Sequence, residues 1–287
     1  MKRSIVVVFL FLFGVILATG QSPKRVKYGS NPAVGQTFVH DGVKLYYETY
    51  GQGEPLLAIH GNGGSISDLS AQIDFFRKRY RVIAMDSRDQ GRSADSPDNI
   101  TYEKMTDDLA ALLDHLKVGP AYVLGWSDGG IEALLLGLRH PDKVKKIASM
   151  AANLNPSDKA LRPEILDLIR TMMAQTPTST PEGRRELKVT EMMLHEPNVD
   201  LNELGKINAP TLILAADHDA IDDHHTVDIF EHLPNAQLAI FPNATHAIPY
   251  DDPVLFNATV ERFFRTPFVK KDRVNDLMKS LMKIRAQ

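Results

Sequence analysis

The feature that most constrains this chain is a rhythm, in which short apolar runs bounded by turn residues alternate with segments of helical period. KLYYETY at 44–50 alternates as a strand does, while PLLAIH at 55–60 and RVIAMD at 81–86 are continuous apolar runs suited to burial on both faces of a sheet. Between them, DLSAQIDFFRKR at 68–79 reads as an amphipathic helix. The pattern continues with a helix over 102–118, a strand over 120–125, a helix over 129–140 and a strand over 144–150. It resumes with a strand over 209–217, a helix over 224–232, a strand over 236–241 and a helix over 252–265. Strands separated by helices join through crossovers, so the alternation predicts an α/β fold: a mostly parallel sheet with helices on both faces.

Both ends depart from this rhythm. The chain opens with Lys2 and Arg3, an apolar run over 5–18, and Ala18-Thr19-Gly20 before Gln21. That is the layout of a secretory signal peptide over 1–20, and the run is short of the roughly 20 apolar residues that span a bilayer. The mature chain is expected to be secreted or periplasmic, with membrane attachment only if the segment stays uncleaved. The tail over 268–287, rich in lysine and arginine, reads as a solvated terminal helix, a membrane-surface element being the alternative.

Removing residues 1–20 takes away Lys2 and Arg3 and no acid, which moves the formal charge from −3 to −5 and does not suggest a nucleic-acid partner. The absence of cysteine excludes disulfides, thiol catalysis and thiolate metal sites, so stability must come from the core. The remaining length suits one large domain, with a core over 21–152 and 206–267. The interval 153–205 holds five prolines, two helix-like stretches (159–174 and 182–195) and no convincing strand, and is expected to form a helical lid. Nothing in the sequence speaks to an oligomeric state.

The stretch AYVLGWSDGGIEALLLGLRHP (121–141) puts a polar turn between a strand and a helix. Gly125, Ser127 and Gly129 form G-x-S-x-G there, and small residues on either side let strand and helix approach closely while the serine stands exposed. Amides at a helix N-terminus point into the turn, so the Asp128 N–H can donate to a developing oxyanion. A serine hydroxyl attacks only when a base takes its proton and a carboxylate orients that base. Candidates stand at later strand ends: Asp217 and Asp219 in ADHDAID, and His246 in FPNATHAIPYDDP. Alone, His246 reads as an ordinary surface histidine; the chain order Ser, Asp, His makes it the candidate base.

With these motifs, the chain over 36–265 resembles members of the α/β-hydrolase superfamily. HGNGGS at 60–65 resembles the family's oxyanion loop, which implies that the Asn62 N–H joins that of Asp128. MDSRDQGRS at 85–93 resembles the family's D-x-R-G-x-G-x-S stretch, except that Asp89 stands where glycine is usual. The resemblance assigns the triad acid to Asp219 and leaves Asp217 outside it. GWSDGGI, with AANLNP at 151–156, further resembles valacyclovir hydrolase-like enzymes, which cleave α-amino acid esters. On that resemblance the Asp128 carboxylate is a candidate substrate-binding group that pairs with a substrate ammonium; the plainer reading is a favourable charge at a helix N-terminus.

Other chemistries fit less well. DHDAIDDHH (217–225) is dense in metal-capable side chains, yet His224 and His225 are adjacent on a helix and point roughly 100° apart, so no metal is expected. GNGG lacks the Walker lysine and dinucleotide spacing, and the sequons at 99, 243 and 257 are short enough to arise by chance. The expected function is hydrolysis of a small carboxylic ester through an acyl-enzyme, without a cofactor, an aminoacyl ester being a candidate substrate. A lactonase or C–C bond hydrolase on the same residues stays open, as does a non-catalytic binding protein on a hydrolase fold.

Overall fold

A computed structural model describes residues 26–285, so the expected signal segment over 1–20 lies outside the described residues. Eight strands form one sheet: β1 (Gln36–His40), β2 (Val43–Tyr50), β3 (Glu54–Ile59), β4 (Tyr80–Met85), β5 (Ala121–Trp126), β6 (Val144–Met150), β7 (Thr211–His218) and β8 (Ala236–Thr245). Their spatial order is β1-β2-β4-β3-β5-β6-β7-β8. The sheet is parallel from β4 through β8, and the β1–β2 hairpin adds antiparallel strands at one edge. The helices are α1 (Ser70–Phe76), α2 (Tyr102–His115), α3 (Asp128–Arg139), α4 (Pro163–Gln175), α5 (Pro181–His195), α6 (Asp223–His232), α7 (Ile248–Asp251), α8 (Pro253–Arg265) and α9 (Arg273–Arg285).

Strand alternation sorts the core into two layers. Leu57, Ile59, Val123 and Ile147 face one side with Leu109 and Leu113 of α2 and Ile131 of α3, whereas Leu56, Ala58, Leu124 and Ala148 face the other with Phe76, Phe256 and Phe264. Both faces are thus covered, as the continuous apolar runs require.

Three local details differ from the sequence reading. β1 was not expected, because QTFVH is short and mixed; it forms by pairing Gln36–His40 against β2. The helix expected over 68–79 begins as a 3-10 turn, Ile66–Leu69, and ends at Phe76. In β2, the polar side of the alternation is buried as well: Glu48 is fully enclosed, accepting from the hydroxyls of Tyr46 (2.6 Å) and Tyr50 (2.7 Å) and from the amides of Gly29 (2.8 Å) and Asn31 (2.9 Å). A buried carboxylate is tolerated because its lone pairs are met by donors.

The interval 153–205 contributes α4 and α5, which pack on each other. Pro163 and Pro181 occupy the first turns, where a missing N–H costs nothing, and the Thr180 hydroxyl caps α5 by accepting from Gly183 N. Polar contacts tie this insertion to the core. Lys188 donates to Asp89 Oδ1 (3.0 Å) and to the Ser96 carbonyl (2.8 Å), Arg185 pairs with Asp95, and the Tyr102 amide donates to Glu196 (3.1 Å).

Candidate active site

The turn between β5 and α3 is built on close approach. A β-carbon at Gly125 would lie 1.8 Å from the Gly129 carbonyl oxygen, and one at Gly129 would lie 2.4 Å from that of Ile59. Only glycine fits at either place, and the packing holds Ser127 at φ 57° and ψ −119°, a left-handed conformation uncommon for a side-chain-bearing residue. Its amide donates to the Met150 carbonyl (2.9 Å) and its carbonyl accepts from Gly130 and Ile131, which fixes the hydroxyl above the carboxyl ends of the parallel strands.

β7 and β8 bring the other two groups to that edge. The β7–β8 register shifts between Ala216 and His218, and Asp217 turns toward β8, accepting from the amides of Asn243 (2.7 Å) and Ala244 (3.0 Å). Its bond with His218, together with those two amides, holds its carboxyl down at about 2. Asp219 is buried instead, and its carboxylate accepts from the Ala216 amide (3.1 Å), the Ile221 amide (3.3 Å) and His246 Nδ1 (2.6 Å). A carboxylate only accepts, so the proton of that bond sits on Nδ1 and leaves Nε2 to accept from the Ser127 hydroxyl, 3.0 Å away. Ser127, His246 and Asp219 therefore form one chain of hydrogen bonds, and Asp217 stands outside it. Such a chain can take a proton from the hydroxyl and hold it on an imidazole already oriented by the acid.

Asn62 and Asp128 meet on the opposite side. Asp128 opens α3, so its N–H has no intrahelical acceptor and points into the turn. The Asn62 side chain donates to Asp128 Oδ2 (2.8 Å) and to the Val189 carbonyl of α5 (3.1 Å), while Asp128 Oδ1 accepts from the Tyr102 hydroxyl (2.8 Å). Burial raises the Asp128 carboxyl above its ordinary range, against the lowering effect of those two hydrogen bonds. One turn on, Glu132 is buried with Oε2 unpartnered, and burial beside Asp128 and Asp108 raises it well above the ordinary value.

Several residues of the site escape motif reading. Trp126 donates from its indole to the His246 carbonyl (2.8 Å). Arg162, from the segment before α4, donates to the Asp219 carbonyl (2.9 Å) and to Asp223 (3.2 Å). Arg162, Glu164, Ile165 and His218 line an open cleft of about 460 Å³ that reaches Asp219 and His246. The adjacency of Trp126 to Ser127 is the only one of these signals present in the sequence. Among the described residues no three metal-capable side chains converge; His224 is exposed, while His225 is buried and accepts from the Leu154 amide (2.9 Å).

Comparison with known proteins agrees with this architecture. Residues 54–182 match a family model described as alpha/beta hydrolase fold, a segment that includes Asn62, Ser127 and Asp128. The serine hydrolase BPHL of Mus musculus is 26% identical over 250 residues, covering 78% of this chain and 84% of its own. A putative carbamate hydrolase, RutD of Azorhizobium caulinodans, is 28% identical over 252 residues, covering 77% of this chain and 95% of its own. The crystal structure of the enol-lactonase from Burkholderia xenovorans LB400 superposes with a TM-score of 0.67 at 19% identity, covering 80% of this chain and all of that one, which speaks to the fold alone. With a serine elbow between β5 and α3, a family-model match over 54–182 and an eight-stranded sheet of matching fold, the chain has the α/β-hydrolase fold and is similar to hydrolases of that superfamily.

Proposed function

We propose that this enzyme hydrolyses small carboxylic esters through an acyl-enzyme on Ser127, with α-amino acid esters as favoured substrates. The observation that carries the reading is the unbroken chain from Asp219 through His246 to Ser127, at 2.6 and 3.0 Å. In this reading Ser127 Oγ attacks the ester carbonyl as His246 Nε2 takes its proton, and Asp219 stabilises the resulting imidazolium. The amides of Asn62 and Asp128 donate to the oxyanion. His246 then protonates the leaving alcohol, and a water activated by the same imidazole releases the acid. The segment over 153–205 acts as a lid that borders the cleft through Arg162, Glu164 and Ile165. The signal segment over 1–20 directs the enzyme to the periplasm or beyond.

The amino-ester preference rests on Asp128. Both donors to its carboxylate, Asn62 and Tyr102, are neutral, so a negative charge beside the nucleophile lacks a cationic hydrogen-bond partner. A substrate ammonium would supply one, a charge-assisted contact worth roughly 1.5–3 kcal/mol. The test compares an aminoacyl ester with its des-amino analogue in wild type and Asp128→Asn, with fluorophosphonate labelling mapped by mass spectrometry. We expect labelling at Ser127 alone, and a wild-type preference for the aminoacyl ester that the variant loses by roughly 10- to 100-fold, at about 1.4 kcal/mol per decade. Labelling without such a preference would keep the serine mechanism and reassign the substrate to neutral esters or lactones.

A further inference from the structure

The cleft that reaches Asp219 and His246 and the insertion beside it are absorbed by the proposed reaction, but α9 is not. It is 13 residues long, and Val274, Leu277, Met278, Leu281, Met282 and Ile284 are each between 43% and 69% exposed. At about 100° per residue these six side chains occupy one arc of roughly 160°, which the terminal Arg285 also enters, and Asn275, Asp276, Lys279, Ser280 and Lys283 lie outside it. In α8, immediately before it, the equivalent apolar residues Phe256, Val260, Phe263 and Phe264 are buried in the core. A helix so segregated over most of its length, with no covering layer among the described residues, has an apolar face suited to a surface outside the described fold.

Charge identifies the occupant. Residues 270–285 carry six basic side chains against two acidic ones, which leaves 27 basic against 34 acidic in the rest of an acidic chain. Positive charge is therefore concentrated around this exposed apolar face, a combination that matches an anionic lipid surface: apolar groups enter the boundary of the acyl chains while lysines reach the headgroups. Two such helices facing each other would instead bring like charges together. At about 1.5 Å per residue α9 spans roughly 20 Å, short of the hydrocarbon thickness of about 30 Å, so it can lie on a bilayer and not cross it.

We propose that α9 docks flat on anionic membranes, holding the enzyme at a lipid surface through its C-terminal end whatever becomes of its N-terminal segment. The chain has no cysteine, so Met282→Cys carries a single environment-sensitive fluorophore on the apolar arc. The labelled full chain is titrated with vesicles of phosphatidylcholine, alone or with about a third phosphatidylglycerol. We expect a blue-shifted, brighter emission whose half-point lies at least about tenfold lower for the anionic vesicles. The shift should weaken at high salt and disappear in Leu277→Glu, with ester hydrolysis unchanged in solution. No shift with anionic vesicles, equal shifts with both compositions, or a shift that follows protein concentration without vesicles would each overturn the proposal, the last by making a second copy the partner.

Discussion

Ser127, at φ 57°, occupies a conformation that costs a side-chain-bearing residue on the order of 1–3 kcal/mol, and glycines 125 and 129 allow the packing that enforces it. The two aspartates of β7 show how far two residues can separate in role. Asp219 is buried against His246 Nδ1, whereas Asp217 braces the β8 backbone. Asp219→Asn is expected to lower kcat by about 10⁴ by favouring the wrong imidazole tautomer, and Asp217→Asn by far less; steady-state kinetics on one good ester decides the ranking. Glu132 makes a prediction about stability. Its buried carboxyl is raised well above the ordinary 4.5, so the folded state holds a proton that the unfolded chain releases first. That contribution is fully present below about 4.5 and is lost as pH rises toward the raised folded value. Glu132→Gln, which does not titrate, should therefore match wild type near pH 4 and exceed it increasingly toward pH 8, measured as the difference in Tm.

At the scale of elements, the contacts of α5 carry the prediction. Asp89 takes a left-handed φ of 61°, is almost fully buried, and has Oδ2 unpartnered while Oδ1 accepts from Lys188. Removing only the lysine leaves a buried carboxylate without its cation, which costs about 1–3 kcal/mol or more. Lys188→Met should therefore speed proteolysis within 163–195 and raise KM for a bulky ester, while acetate hydrolysis stays nearly constant because the reacting groups stand on the sheet. Adding Asp89→Gly should restore resistance to proteolysis, since glycine removes both the orphaned charge and the strained φ. A second variant that stays as fragile as the first would mean that α5 needs the contacts Lys188 itself makes, such as that with the Ser96 carbonyl, and that the orphaned Asp89 carboxylate is not the cause.

For the whole molecule, the parallel sheet gathers the reacting groups by topology. β5, β7 and β8 end at one edge, so residues 119 positions apart, Ser127 and His246, come within hydrogen-bond reach. The N-terminal segment belongs to this scale too. If residues 1–20 direct export, N-terminal sequencing of the protein recovered from the periplasm or medium of an exporting bacterium should begin at Gln21. A chain beginning at Met1 in the membrane fraction would make the segment an anchor.

The sequence by itself determined the order and kind of most elements, because strands buried on both faces must be continuous apolar runs and crossover helices must carry one apolar stripe. It also carried Ser127 openly, since Gly125 is demanded by a backbone contact made within one strand, one turn and one helix, although the contact that demands Gly129, with the Ile59 carbonyl of β3, is made only in the folded sheet. β1 was hidden because five mixed residues become a strand only by pairing with β2. The residues left open in the sequence, Asp217 and Asp219, differ by a register shift in the pairing of β7 with β8, which no local pattern encodes. The same holds for Tyr102, Arg162 and the Asn62 side chain. Their partners lie 26, 57 and 127 residues away, and only the folded sheet sets the distances over which hydrogen bonds form.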